Sequence, residues 1–302
     1  MSRTTASFGK CYGVQRVCHI WEQPRSSRYA MIHKACASSA LAEPGKRGPK
    51  TTASDSVLLA AIKADLASSP FSGEGHRKVW ARLRVRDGIR VGRKRVLRIM
   101  RENNLLSPFR GRRASAVLHD GRICTDSPDE MWGTDGARVF TVDDGWIWVF
   151  TAVEHWNAEC VGWHVCKYGT RYAALEPISQ GVASVFGSVG RDAARGLSLR
   201  MDHGTQYLSD HFLNQLRYWG ITPSFAFVEQ PQTNGVAERF NRTLKEQAIH
   251  GRVFRNVEEV RAAVGAFIAR YNREWRVEKN RFLSPLEIRQ QWLDQAALAR
   301  VA

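Results

Sequence analysis

The sequence predicts an α/β protein in which a mixed-sheet core over residues 125–250 is preceded by a small all-α, helix-turn-helix-like segment. Three observations carry that expectation. Three β-rich stretches in hairpin order are followed by alternating helix and strand. Upstream, apolar residues recur at helical spacing between short glycine turns. A Gly, Pro and Lys rich linker, LAEPGKRGPKTT, separates both from a weakly patterned N-terminus. The expected divisions are an N-terminal segment and linker (1–50), a basic helical domain (51–113), the sheet core (125–250) and C-terminal helices (251–302).

Taken in order, Ser54 and Asp55 cap a first helix that carries Val57, Leu58, Ala61, Ile62 and Leu66 at helical spacing and ends before Pro70. GHRKVWARLRV gives a second helix and GRKRVLRIMRENN a third, whose inner face is Val96, Ile99 and Met100. The turn DGIRVG between them holds Gly88 and Gly92. EMWGTDGARVFTV and GWIWVFTAV are strands flanking the hairpin signal Asp143, Asp144 and Gly145, and AECVGWHVC is a third strand. A helix at Arg171 to Phe186, a strand at LSLRM, a helix closed by Gly220 and a strand at ITPSFAFV follow. After the polar loop EQPQTNG come helices from Val236 to His250 and from Val257 to Trp275.

The chain has 302 residues and a formal net charge of +16. Between Arg77 and Arg113 stand fourteen Arg and Lys against two acids, Asp87 and Glu102. Nucleic acid is the natural partner of such a surface, since each neutralised phosphate releases counterions. An Arg-rich helix after a short glycine turn makes Arg93, Lys94, Arg95 and Arg98 candidate DNA contacts. A plain three-helix bundle with a basic coat fits the same pattern. No run approaches eighteen apolar residues and no compact secretory segment opens the chain, so the expectation is a cytoplasmic protein that makes no membrane contact and associates with the nucleoid. Six cysteines lack paired spacing, and Cys18, His19, His33 and Cys36 lack the two regular ligand pairs of a structural zinc site.

Three carboxylates stand out. Asp135 lies inside a strand, in WGTDG between Gly133 and Gly136, and Asp202 ends another in LRMDHGTQY. Asp is depleted from strands and costly to bury unless it is paired or metal-bound. Glu238 opens the helix after EQPQTNG. Three converging carboxylates repel one another unless a divalent cation compensates them, and Mg²⁺ is the hard, oxygen-preferring choice. On the helix, Asn241, Arg242 and Lys245 share the face of Glu238, while Val236, Phe240, Leu244 and Ala248 lie opposite. That arrangement suits a metal at the helix start and a DNA strand along its length.

WGTDG, the hairpin, VGWHV, MDHGTQYLSDHF and QPQTNGVAERFNRTLKE, with 35 residues between Asp202 and Glu238, resemble the catalytic core shared by retroviral integrases and DDE transposases. HRKVWARLRVRDGIRVGRKRVLRIMRENNLLSP resembles the helical segment preceding that core in bacterial insertion-sequence transposases of the OrfB type, and the likeness spans residues 50–292. It implies an RNase H-like fold and a catalytic triad of Asp135, Asp202 and Glu238 holding two Mg²⁺ or Mn²⁺. It also implies DNA cleavage with 3′-OH strand transfer during transposition, and Asn241 and Lys245 as DNA contacts. A homo-oligomer on DNA, an OrfA partner or frameshift fusion, and a mobile EQPQTNG loop with Gly235 allowing close backbone approach belong to the same implication. The chain departs from relatives at Glu154, Asn157 and Ala158 of VEHWNAECVGW, and at Gly136 and Ala137 after Asp135. Two rival readings are a DNA-binding repressor with an idle site and a nuclease of the same fold that cuts without joining.

Overall fold

A computed structural model describes residues 13–36, 53–108, 125–225 and 234–301. By its contacts the chain divides into two units, Met1–Thr52 and Ala53–Ala302. The first holds two helices where the sequence shows only weak patterning, α1 (Val14–Ile20) and α2 (Arg25–Cys36). Cys18 is buried there and free, as are Cys160 and, half-buried, Cys166 in the second unit.

The second unit begins with α3 (Asp55–Ser68), α4 (His76–Val85) and α5 (Arg93–Glu102). Ser54 caps α3 by accepting the Val57 N–H at 3.2 Å, which satisfies one of the helix's unpaired donors. Leu58, Ile62, Val79, Leu83, Val96, Ile99 and Met100 close a small core of their own. Val57, which the helical spacing assigns to that core, is instead 59% exposed. The buried Asp65 carboxylate is held by Arg82 at 2.7 Å and Arg86 at 3.1 Å, so two basic residues of the segment are spent on folding it.

The sheet runs β3 (Cys160–Cys166), β2 (Gly145–Glu154), β1 (Met131–Thr141), β4 (Ser198–Met201), β5 (Thr222–Phe225) in spatial order. The β1–β2 and β2–β3 pairs are antiparallel, and β1–β4 and β4–β5 are parallel. The hairpin signal is confirmed, with Gly145 at φ +69° next to Asp144. The result is the five-stranded mixed sheet of an α/β core that the sequence predicts. One face packs under α6 (Arg171–Phe186) and α7 (Asp210–Tyr218) around Trp132, Phe150, Leu199 and Phe212. The other packs under α8 (Gly235–Leu244) and α9 (Val257–Glu274) around Val149, Phe240, Leu244 and Phe267. A final helix, α10 (Pro285–Val301), opens with Ser284 and Glu287 bonded reciprocally, Glu287 N–H to Ser284 Oγ at 3.2 Å and Ser284 N–H to Glu287 at 2.7 Å.

The expected single helix from Val236 to His250 is two segments. After Leu244 the chain widens into a π turn over Lys245–Ile249, with the His250 N–H reaching the Lys245 carbonyl at 2.7 Å. Within that turn Gln247 grips Ser72 at both backbone groups, 3.0 Å to its N–H and 2.8 Å to its carbonyl, tying the loop before α4 to the sheet core.

Close packing of sheet and helix depends on Gly162 of β3. A Cβ there would stand 1.8 Å from the Pro177 carbonyl oxygen of α6, a backbone atom with nowhere to go. Gly162→Ala is expected to destabilise the protein by roughly 3 kcal/mol, read as a lowered melting temperature. An unchanged melting temperature would contradict the close contact.

Candidate active site

Asp135 and Asp202 are brought together by strand register. Gly133 of β1 stands opposite Arg200 of the parallel β4. Continuing that register by two residues sets Asp135 level with Asp202, on the same face of strands about 4.8 Å apart. Asp202 lies one residue beyond β4 and is exposed, and its carboxylate accepts the Gly204 N–H at 2.9 Å. A Cβ on Gly204 would stand 3.0 Å from that same carboxylate oxygen, which is why DHG turns here with glycine.

Glu238 is exposed in the first turn of α8, where the helix dipole favours a negative charge. The helix is fastened by its first residues. Asn234 donates to the Thr134 carbonyl at 3.0 Å, and Ala237, Phe240 and Leu244 bury against the sheet. Gly133 makes room for this, because a Cβ on it would stand 2.7 Å from Asn234 Oδ1 and 2.9 Å from His155 Nε2. Gly136 is equally constrained, with Phe150 at 2.8 Å from its missing Cβ.

Asn241 departs from the helical-wheel expectation. It is 4% exposed and faces the sheet, not a DNA track. Its Nδ2 donates to Asp135 Oδ2 at 2.8 Å while its Oδ1 accepts from the Thr151 hydroxyl at 3.0 Å. The correction has a simple geometric source: a residue three positions from Glu238 lies at the edge of the polar stripe, and here that edge meets β1 and β2. Arg242 is exposed on α8 and Lys245 is half-buried just beyond it. Lys245 is near enough for its charge to favour ionised Asp135, as Arg242 is for Glu238.

Burial raises the Asp135 pKa; the Asn241 hydrogen bond opposes that and the Asp202 charge adds to it. Glu238 is raised as well, by desolvation and then by the charge of Asp135. Tyr207 is fully buried close to both aspartates; burial pushes its phenol up, and their charges push it further. Among the described residues no group of three His, Cys, Asp or Glu side chains already stands as a cation site. The donor chemistry nevertheless fits a hard divalent ion, since two mutually repelling aspartates and a third carboxylate feeling one of them are what such a charge would relieve. Glu238, being exposed, is the member with room to move.

In the basic segment, Arg95 and Arg98 both close on Asp55, at 2.8 Å and 2.6 Å, and Arg98 also reaches Glu102 at 2.9 Å. Those bonds hold the Asp55 carboxyl down at about 2. Arg95 and Arg98 therefore clamp α5 to the start of α3, a structural role that the sequence did not show. Arg93 and Lys94 are exposed, with Arg93 only 3.9 Å from Glu278. The loop EQPQT lies outside the described residues, and among the described residues nothing stands within 4 Å of a Cβ built on Gly235.

Sequence reasoning did not single out Thr151, Asn234 or His155. The first two hold Asn241 and α8, and nothing local in the sequence marks them, because their partners lie 90 and 100 residues away. The departures in VEHWNAECVGW have a visible use. Glu154 accepts the Trp156 and Asn157 N–H groups at 2.8 Å and 2.6 Å, and burial pushes its carboxyl up to about 7. Asn157 donates to the Pro285 carbonyl at 3.1 Å, and Ala158 sits at φ +63°.

Residues 219–276 match the family model described as Integrase core domain, and residues 71–113 match an HTH-like domain. The first match contains Glu238 and Asn241 and excludes Asp135 and Asp202. Among curated proteins, the chain is 27% identical over 223 residues to the transposase for insertion sequence element IS629 of Shigella sonnei, covering 70% of this chain and 72% of that one. It is 31% identical over 186 residues to transposase InsD for insertion element IS2A/D/F/H/I/K of Escherichia coli, covering 58% of this chain and 60% of that one. The chain is thus similar, over both its HTH-like segment and part of its sheet core, to transposases of insertion sequences. Similar solved structures include the HTLV-2 integrase catalytic core domain in complex with magnesium, at TM-score 0.40 and 15% identity over 53% of this chain and 96% of that one. The simian T-cell lymphotropic virus intasome in complex with a PP2A regulatory subunit aligns at TM-score 0.43 and 14% identity, over 76% of this chain and 73% of that one. The segment that matches the HTH-like model precedes the sheet, and among the described residues no helix is long and apolar enough to cross a membrane.

Proposed function

We propose that the protein is a transposase that cleaves DNA at the ends of an insertion sequence and joins the freed 3′-OH to another strand, with Asp135, Asp202 and Glu238 as its catalytic carboxylates. The observation that carries the reading is the register of β1 and β4, which sets Asp135 and Asp202 side by side, with Asn241 of α8 bonded to Asp135 three residues after Glu238. The three carboxylates would hold Mg²⁺ or Mn²⁺, two ions in all. Such ions, when bound, supply the positive charge that activates a nucleophilic oxygen and stabilises the leaving one during in-line displacement at phosphorus.

The chain's own residues do the rest. Asn241 orients Asp135 by a bond to one of its oxygens, and the Gly204 N–H does the same for Asp202. Lys245 and Arg242 present positive charge beside these carboxylates, where phosphates of the DNA would lie. Arg93 and Lys94 extend a basic surface on α5 for the duplex beyond the cut. Assembly as a homo-oligomer on paired DNA ends, with an OrfA product as partner or fusion, belongs to the same reading, as do a cytoplasmic site of action at the nucleoid and the four-part division of the chain.

The test is a strand-transfer assay on an oligonucleotide carrying the element end. Joined product that depends on Mg²⁺ or Mn²⁺ and disappears in Asp202→Asn supports the reading. Product undiminished by Asp202→Asn or by chelation of metal would sink it. Nicked DNA without joined product would favour a simple nuclease.

A further inference from the structure

A second binding feature lies beside the candidate active site. Between the β2–β3 turn and the start of α10 is a cavity of about 390 Å³ whose lining includes Trp156, Trp292, Lys279, Arg281, Gln291 and Gln295. Among the described residues no carboxylate lines it. Its walls are built rather than incidental. Asn280 donates to the Asn157 carbonyl at 2.7 Å, Asn157 donates to the Pro285 carbonyl at 3.1 Å, and Arg289 of α10 is ion-paired with both Asp129, at 2.7 Å, and Glu159. Arg281 and Phe282 both hold positive φ, 55° and 66°, a conformation that an aromatic residue adopts only when its surroundings impose it. Phe282 is pinned edge-on to Trp80 of α4 at 5.9 Å, and Arg281 lines the cavity.

Two indole rings and two cations with no acid among them match a ligand that offers flat π-faces together with negative charge. Paired bases hide their faces in the duplex, so the fit is to an unpaired stretch of DNA, its base stacked on tryptophan and its phosphates beside Lys279 and Arg281. The position agrees. Lys279 donates to the His155 carbonyl at 2.5 Å, and His155 abuts Gly133, two residues before Asp135 on the same strand. We infer that this groove is a docking site for single-stranded DNA next to the cleavage site, holding the strand separated or displaced when an end is processed. The inference rests on the proposal that DNA is the substrate and adds to it a separate, non-catalytic contact.

Fluorescence anisotropy of labelled (dT)20 and of a 20-base-pair duplex tests it with the full chain. Trp292→Ala removes a stacking face, and Arg281→Gly removes a cation while suiting the left-handed backbone. Each is expected to weaken (dT)20 binding at least fivefold and duplex binding less than twofold, with unchanged melting temperature. Duplex binding retained, with (dT)20 affinity indifferent to both substitutions, would overturn the groove alone. Failure of the wild-type chain to bind either DNA would overturn the DNA reading and the groove with it.

Discussion

Glu238→Gln lowers strand transfer by on the order of 10³-fold or more while DNA binding stays within about twofold of wild type. The substitution keeps size and shape, so α8 remains seated by Asn234, Ala237, Phe240 and Leu244, none of which depends on the Glu238 carboxylate. What it removes is one negative charge from a set in which Asp135 and Glu238 already repel each other. If repulsion alone mattered, the change would stabilise the site and leave chemistry intact. The carboxylates are instead assigned to hold divalent ions, so losing one charge weakens that hold and the transition-state stabilisation that depends on it. Parallel gel-shift and joining assays check this, and a Glu238→Gln protein that joins DNA at the wild-type rate would refute the division of roles.

Asn241→Ala lowers strand transfer by about 10–100-fold and leaves DNA affinity unchanged, because this buried amide positions Asp135. Its removal strips the bond to Asp135 Oδ2 and orphans the buried Thr151 hydroxyl, at a stability cost of about 1–3 kcal/mol. Asn241→Asp is nearly isosteric yet turns an acceptor toward Asp135, and its activity falls at least as far. A residue that merely packed would tolerate that change in kcat once folded; a DNA contact would show it in Kd. Loss confined to DNA affinity, with kcat intact, would contradict the positioning role.

Much of this was legible in the sequence because it is written in local patterns. The helices α3 to α5, the Asp143 to Gly145 hairpin, the helix from Arg171 to Phe186 and the strand ending at Asp202 all announce themselves by caps, periodicity and glycine turns. Asp135 and Asp202 were visible as costly strand carboxylates, although nothing local says that parallel register sets them side by side. What stayed hidden depends on distant partners. Asn241 looked like a member of a solvent-facing stripe until β1 and β2 were seen to close over that edge of the helix. The ion pairs of Arg95 and Arg98 were hidden because Asp55, which both of them bind, lies 40 and 43 residues away. The π turn at Lys245–Ile249 and the capping pair Ser284 and Glu287 interrupt or begin helices that composition alone treats as continuous or unremarked.

The central claim is that Asp135, Asp202 and Glu238 form one divalent-cation centre. Anomalous scattering from Mn²⁺ in crystals of the protein bound to a DNA end reads it directly. The account predicts density for two ions, between them in contact with all three carboxylates, and its loss in Asp202→Asn crystals. Mn²⁺ bound elsewhere, or held unchanged in Asp202→Asn, would contradict it.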